Sequence, residues 1–107
     1  MTAPFTLNVI DTIRKIPKGK VTTYGFVAAL SGNPQAARQV VRVLHSCSKK
    51  EGLPWHRVVN RLGQIALKPF QGYELQKQLL EQEGVLFSSK GSIDLEVYSW
   101  QPGKDKL

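Results

Sequence analysis

The chain has 107 residues, enough for one domain with a modest core. Its apolar fraction is 41%, and no apolar run approaches the ~20 residues a membrane helix needs, so no membrane role is expected. Net charge is +7 and unevenly spread: residues 1–70 hold eleven Lys and Arg against two acids, residues 71–107 four against six.

Phe5, Val9, Ile13 and Ile16 recur at helical spacing and predict an amphipathic helix over residues 5–15, ended by Pro17 and Gly19. Thr22 and Thr23 are N-cap candidates for a short helix from Tyr24 to about Leu30, closed by Gly32. Asn33, with Pro34 in the first helical position, predicts a third helix running to about His45. Two short helices joined by Ser31-Gly32-Asn33 read as a helix-turn-helix. On the third helix, Ala37, Val41 and Leu44 are expected to face the core. Arg38, Arg42 and His45 fall at i, i+4 and i+7 on another face. A recognition helix needs that division, and so does any solvated surface helix.

Residues 46–52 read as a polar, basic loop, and Gly63 as a turn. A fourth helix is expected over residues 72–83, with Leu75, Leu79 and Leu80 inward and Gly84 past its end. Ile93, Leu95 and Val97 alternate, which predicts a hairpin with Val85–Phe87 around Lys90-Gly91.

Basic charge gathered in one part of a small chain suits a polyanion such as nucleic acid, and equally a solvated basic surface. Cys47 is the single cysteine, so no internal disulfide forms. One cysteine and two histidines match no usual zinc spacing, and no metal or cofactor is expected. The N-terminus lacks the order of a signal peptide, so the expected location is the cytoplasm, with the nucleoid or nucleus as working site. Glu83 falls in the last turn of the fourth helix and opposes its dipole, at roughly 0.3–1 kcal/mol. A partner such as His56 would explain it; a solvent-exposed glutamate would need none.

The segment Pro54-Trp55-His56-Arg57-Val58-Val59 resembles the Pro-Cys-His-Arg-Val active-site motif of O6-alkylguanine-DNA alkyltransferases. Ile16-Pro17-Lys18-Gly19-Lys20-Val21-Thr22-Thr23-Tyr24-Gly25 resembles the approach to that family's helix-turn-helix. Asn33-Pro34-Gln35-Ala36-Ala37-Arg38-Gln39-Val40 resembles its recognition helix, and Leu79-Leu80-Glu81-Gln82-Glu83-Gly84 the segment holding its glutamate. The likeness covers about residues 5–87. Trp55 stands where the family has its reactive cysteine, which makes the chain similar to the non-enzymatic, alkyltransferase-like branch. The stretch from Trp55 to Glu83 is also one residue longer than is common in true alkyltransferases.

The resemblance implies a single domain over residues 1–107, without the alkyltransferases' N-terminal domain. It implies a mainly α, winged helix-turn-helix-like fold with small β-hairpins. The implied partner is duplex DNA containing O6-alkylguanine, bound by a monomer that flips the damaged nucleotide and passes it to nucleotide excision repair proteins. Arg38 would fill the gap left by the flipped base, and its planar, permanently charged side chain suits that task. Tyr24 would crowd the phosphate beside the lesion. Ala36 and Ala37 would let the helix approach closely, and Arg42 would meet the backbone. Tyr24, Trp55, His56, Val58, Lys68 and Glu83 would form the lesion pocket, while Arg57 would serve the fold through carbonyl or acid contacts.

Dealkylation requires a thiolate, activated by a neighbouring base. An indole offers only an N–H donor, so no catalytic residue is expected. Two alternatives remain at this stage: an enzyme working through Cys47 or His56, and a helix-turn-helix regulator that reads base sequence.

Overall fold

The computed structural model describes residues 4–102. The expected single domain also takes in residues 1–3 and 103–107, which lie outside the described ones. Three helices form the first half. Helix α1 (Pro4–Arg14) buries Val9, Ile10 and Ile13, one stripe at helical spacing. Helix α2 (Tyr24–Leu30) begins at Thr23, whose side chain accepts the Phe26 N–H at 3.2 Å, and buries Val27 and Ala28. At its end the Ser31 hydroxyl donates to the Val27 carbonyl at 2.7 Å.

Helix α3 (Ala37–Glu51) departs from the sequence expectation at both ends. Asn33 does not cap it. The Asn33 side chain accepts the Gln35 N–H at 3.1 Å and its carbonyl the Ala36 N–H at 3.1 Å, which makes a separate turn before the helix. The helix then runs through residues 46–51, expected as loop, and stops at Gly52 in the left-handed conformation, φ 64°. Its inward face is also corrected. Val40 and Val43 are buried, with Leu44 and Cys47 packed partly beside them, while Val41 is 36% exposed. Arg14 pairs with Glu51 at 2.6 Å and ties α1 to the end of α3.

The strands are short. β1 (Thr22–Thr23) pairs in parallel with β2 (Val58–Val59), in the register Thr22 with Val58 and Thr23 with Val59. Alternation across β2 sends Val58 into the core formed by α1–α3 and Val59 into a second core with Val21, Leu80, Val85 and Ile93. This pair therefore stitches the helix-turn-helix to the second half.

Helix α4 (Tyr73–Gln82) buries Gln76 and Leu80; Leu75, expected inward, is 52% exposed. The expected tail hairpin reduces to one antiparallel bridge, Phe87 with Ile93. Beyond it, Asp94 accepts the Glu96 N–H at 3.0 Å and caps a short helix α5 (Leu95–Tyr98), overriding the alternating pattern. The Tyr98 carbonyl accepts from Val21 at 2.9 Å and the Val21 carbonyl from Trp100 at 2.8 Å, which anchors the tail beside β1. The architecture is mainly helical, and its small sheet is parallel rather than built from hairpins. Among the described residues no helix is long and apolar enough to cross a membrane.

Candidate functional site

The segment from Pro54 to Val59 is held from several sides. Trp55–Arg57 forms a 3₁₀ turn that enters β2, whose partner strand β1 leads directly into α2. Behind it, the buried Gln76 amide donates to the carbonyls of His56 at 3.1 Å and Val58 at 3.0 Å. Within the turn, the Trp55 and His56 rings meet edge to face, with centroids 6.1 Å apart.

Glu83, just past α4, closes the network. Its carboxylate accepts from His56 Nε2 at 2.7 Å, from Arg57 Nε at 3.0 Å and Nη2 at 2.8 Å, and from the Gly19 N–H at 3.1 Å. An ionised carboxylate only accepts, so His56 Nε2 carries a proton here. Burial alone would push the Glu83 carboxyl up, since its side chain is only 9% exposed. The hydrogen bonds from Arg57, His56 and Gly19 outweigh burial and lower it from 4.5 to about 2. The acid that opposes the α4 dipole thus finds its counter-charge in Arg57, and His56 is its partner as the sequence suggested. Arg57 also donates to the Ile16 carbonyl at 2.8 Å, so it binds a carbonyl and an acid together. Gly19 has φ +84°, and a Cβ there would lie 3.3 Å from the Glu83 carbonyl oxygen, so glycine lets this N–H approach.

Toward the helix-turn-helix, Tyr24 opens α2 and packs half-buried on the first core, and burial pushes its phenol up from its ordinary value. Arg38 and Arg42 are exposed on α3 and have no ion-pair partner among the described residues. The first turn of α3 contains no acid, so Arg38 faces the unfavourable end of the helix dipole uncompensated. Ala37 is half-buried at the start of α3.

Ala36 is 6% exposed and packs in the core ahead of α3, and Val58 is 1% exposed in the same core, because strand alternation turns it inward. Trp55 and His56 remain partly exposed, and Lys68 is exposed on the loop before α4. Glu83 lies behind His56 and Arg57. A surface cleft of about 350 Å3 is lined by Thr22, Thr23, Phe26 and residues 99–102 and includes none of the Trp55 segment. No cluster of metal-ligating side chains occurs among the described residues.

The sequence reading missed Gln76 and Gly19. Gln76 offered one faint signal, a polar residue four before the buried Leu80 on the inward face of α4. Gly19 acts through its main chain and offered none.

Residues 4–85 match the family described as 6-O-methylguanine DNA methyltransferase, DNA binding domain. The chain belongs to this family. Within it, the chain is 49% identical over 96 residues to the DNA base-flipping protein of Escherichia coli, a match covering 90% of this chain and 74% of that one. It is 39% identical over 103 residues to alkyltransferase-like protein 1 of Schizosaccharomyces pombe, covering 92% and 95% respectively. The fold is similar to the crystal structure of S. pombe Atl1 in complex with damaged DNA containing O6-carboxymethylguanine. The TM-score is 0.81 at 38% identity, over 95% of this chain and all of that one. The segment that resembles the alkyltransferase motif in sequence is the one that Gln76, β1 and Glu83 hold in place, with the Trp55 indole at its second position.

Proposed function

We propose that this protein binds duplex DNA, turns an O6-alkylated guanine out of the helix, and holds it beside Trp55 without removing the alkyl group. The observation that carries this reading is Trp55 at the head of the His56–Glu83–Arg57 network. A thiol there would be activated by His56; an indole has no lone pair suited to attacking an alkyl carbon. The remaining machinery suits binding. Arg38 and Arg42 present unpaired positive charge to a phosphate backbone, with Arg38 long and planar enough to occupy a vacated stack. Tyr24, neutral and partly buried, meets the phosphate beside the turned-out nucleotide. A damaged base pairs poorly, so extruding it costs less than extruding guanine. Relatives support the reading: one is named a DNA base-flipping protein, and another is bound to DNA carrying O6-carboxymethylguanine. In this reading a single domain acts as a monomer in the cytoplasm or on DNA, and its complex is the signal that nucleotide excision repair proteins receive. Cys47 lies on α3, partly packed against the first core, outside the site motif.

The test is a competition titration at fixed salt, with O6-methylguanine and undamaged duplexes of one sequence. The damaged duplex should bind more tightly. Equal affinities would remove the central claim, and a preference for base sequence over damage would favour a regulator.

A further inference from the structure

Three polar residues are buried among the described ones, Thr22, Ser31 and Gln76. Ser31 serves its own helix, through the Val27 carbonyl four residues back. Gln76 serves another part of the chain. At 2% exposure it stands on the inward stripe of α4, one turn before Leu80, where an apolar side chain would pack without any polar group to satisfy. Its amide nitrogen carries two hydrogens, and they go to two carbonyls of one remote segment, His56 at 3.1 Å and Val58 at 3.0 Å.

The segment has a use for those donors. The sheet has two strands, so β2 is flanked by a strand on one side only, β1. Gln76 serves the carbonyls of β2 and of the turn before it much as a third strand would. The turn's other main-chain bonds are local. The Trp55 N–H donates to the Leu53 carbonyl at 2.8 Å, the Arg57 N–H to the Pro54 carbonyl at 3.1 Å, and the Val58 N–H to the Trp55 carbonyl. These bonds shape the turn, whereas Gln76 ties its main chain to α4 one residue beyond Trp55. The helix is a firm base: Leu80 is buried in the second core, and the Lys77 ammonium lies 5.5 Å from the centre of the Phe87 ring.

A binding site is selective only when the groups that meet the ligand are held to within about 0.5 Å, by neighbours that are themselves fixed. A leucine at position 76 would fill the space and leave the two peptide groups without their tether. We infer that Gln76 is a positioning residue for lesion recognition. Without touching DNA, it orients the main chain on which Trp55 and His56 stand, and so sets the preference for damaged over undamaged duplex. This rests on the function proposed above.

The test uses Gln76→Leu and Gln76→Met, which keep most of the volume and remove the donor. Both are titrated with O6-methylguanine and undamaged duplexes of one sequence, at a temperature where circular dichroism shows them folded. A small unfolded fraction weakens both affinities by the same factor, so the ratio of the two is blind to lost stability. That ratio should fall by about fivefold or more, the equivalent of one hydrogen bond. In the free variants, the NMR signals of the Trp55 indole N–H and the His56 amide should move, while the indole N–H of Trp100, in the first core, stays in place. An unaltered ratio in both variants would overturn the inference. So would a Trp100 signal that moves as far as that of Trp55, because Gln76 would then support the fold as a whole. A parent protein that binds both duplexes alike defeats the proposed function, whereas a selective parent with equally selective variants defeats this inference alone.

Discussion

Replacing Glu83 by glutamine tests the network at its centre. The Glu83 carboxyl is held at about 2 instead of 4.5. A tenfold change in acidity corresponds to about 1.4 kcal/mol, so the charged form contributes about 3 kcal/mol to folding at pH 7. Its side chain is 9% exposed, so solvent screening takes little from that figure. The sign follows from the direction of the shift. A lowered acid stabilises fully above its unfolded value of 4.5, and the contribution fades as pH falls toward about 2. Glu83→Gln should therefore cost about 3 kcal/mol at pH 7, and more if Arg57 is left with an unanswered charge. For a domain of this size that lowers Tm by roughly 10 °C or more. The assay is thermal or urea unfolding of parent and variant from pH 7 down to pH 2. The difference between them should be flat above about pH 5 and shrink steadily below it. A difference that stays constant down to pH 2 would refute the account, because the charge of Glu83 would then contribute nothing specific.

Three further outcomes follow from the same contacts. Arg38→Ala should weaken binding to damaged DNA more than to undamaged DNA, whereas Arg42→Ala should lower both alike and reduce the salt slope by about one; identical behaviour of the two variants would refute the special role of Arg38. Gln76→Leu should destabilise by about 2–4 kcal/mol in urea unfolding, since it removes the amide donor from the buried Val58 carbonyl and the part-buried His56 carbonyl, and a loss below about 0.5 kcal/mol would show that those bonds are dispensable. Incubation with an O6-methylguanine duplex should leave protein and DNA chemically unchanged by mass spectrometry, and Trp55→Cys should give at most slow transfer, because small misplacements of sulfur cost rate steeply; an alkylated parent protein would overturn the non-enzymatic reading.

What was legible in the sequence was local. Thr23 as a cap, Gly32 after α2 and the stripe of α1 each follow from one residue type at one spacing. The limits of α3 were not legible. Asn33 carries the same signature whether it caps a helix or closes a turn before one. Ser46, Ser48, Lys49 and Lys50 look like loop, but Cys47 packs inward between them and Gly52 supplies the left-handed stop, so tertiary packing overrides polarity. The inward face was ambiguous because Val40, Val41, Val43 and Leu44 wrap around the helix, and only the neighbours α1 and α2 decide that Val41 is left out. In the site, His56 with Glu83 was foreseeable from an acid placed against a helix dipole. A main-chain donor such as Gly19 leaves no trace in composition or spacing.

The network also explains how the segment can keep its shape with Trp55 where, in the proposed reading, an enzyme would carry its nucleophile. Arg57 joins the turn after α1, through the Ile16 carbonyl, to Glu83 at the end of α4; Glu83 joins both to Gly19; Gln76 holds the main chain of the motif from behind. None of these bonds passes through the side chain at position 55. The scaffold is thus indifferent to whether a thiol or an indole stands there, and the choice alters the chemistry alone. An indole trades attack on the alkyl carbon for a broad apolar face, suited to retaining a flat base with its adduct intact. In the proposed function retention is what the signal needs, because a lesion that is repaired and released would recruit nothing. On this view the cost of burying Glu83 and Arg57 serves position, not activation. Trp55→Ala should then leave Tm within a few degrees of the parent, since position 55 carries none of the network, while abolishing the preference for damaged DNA. Thermal unfolding and the competition titration read the two effects separately. A collapse in Tm would mean that Trp55 is part of the scaffold after all.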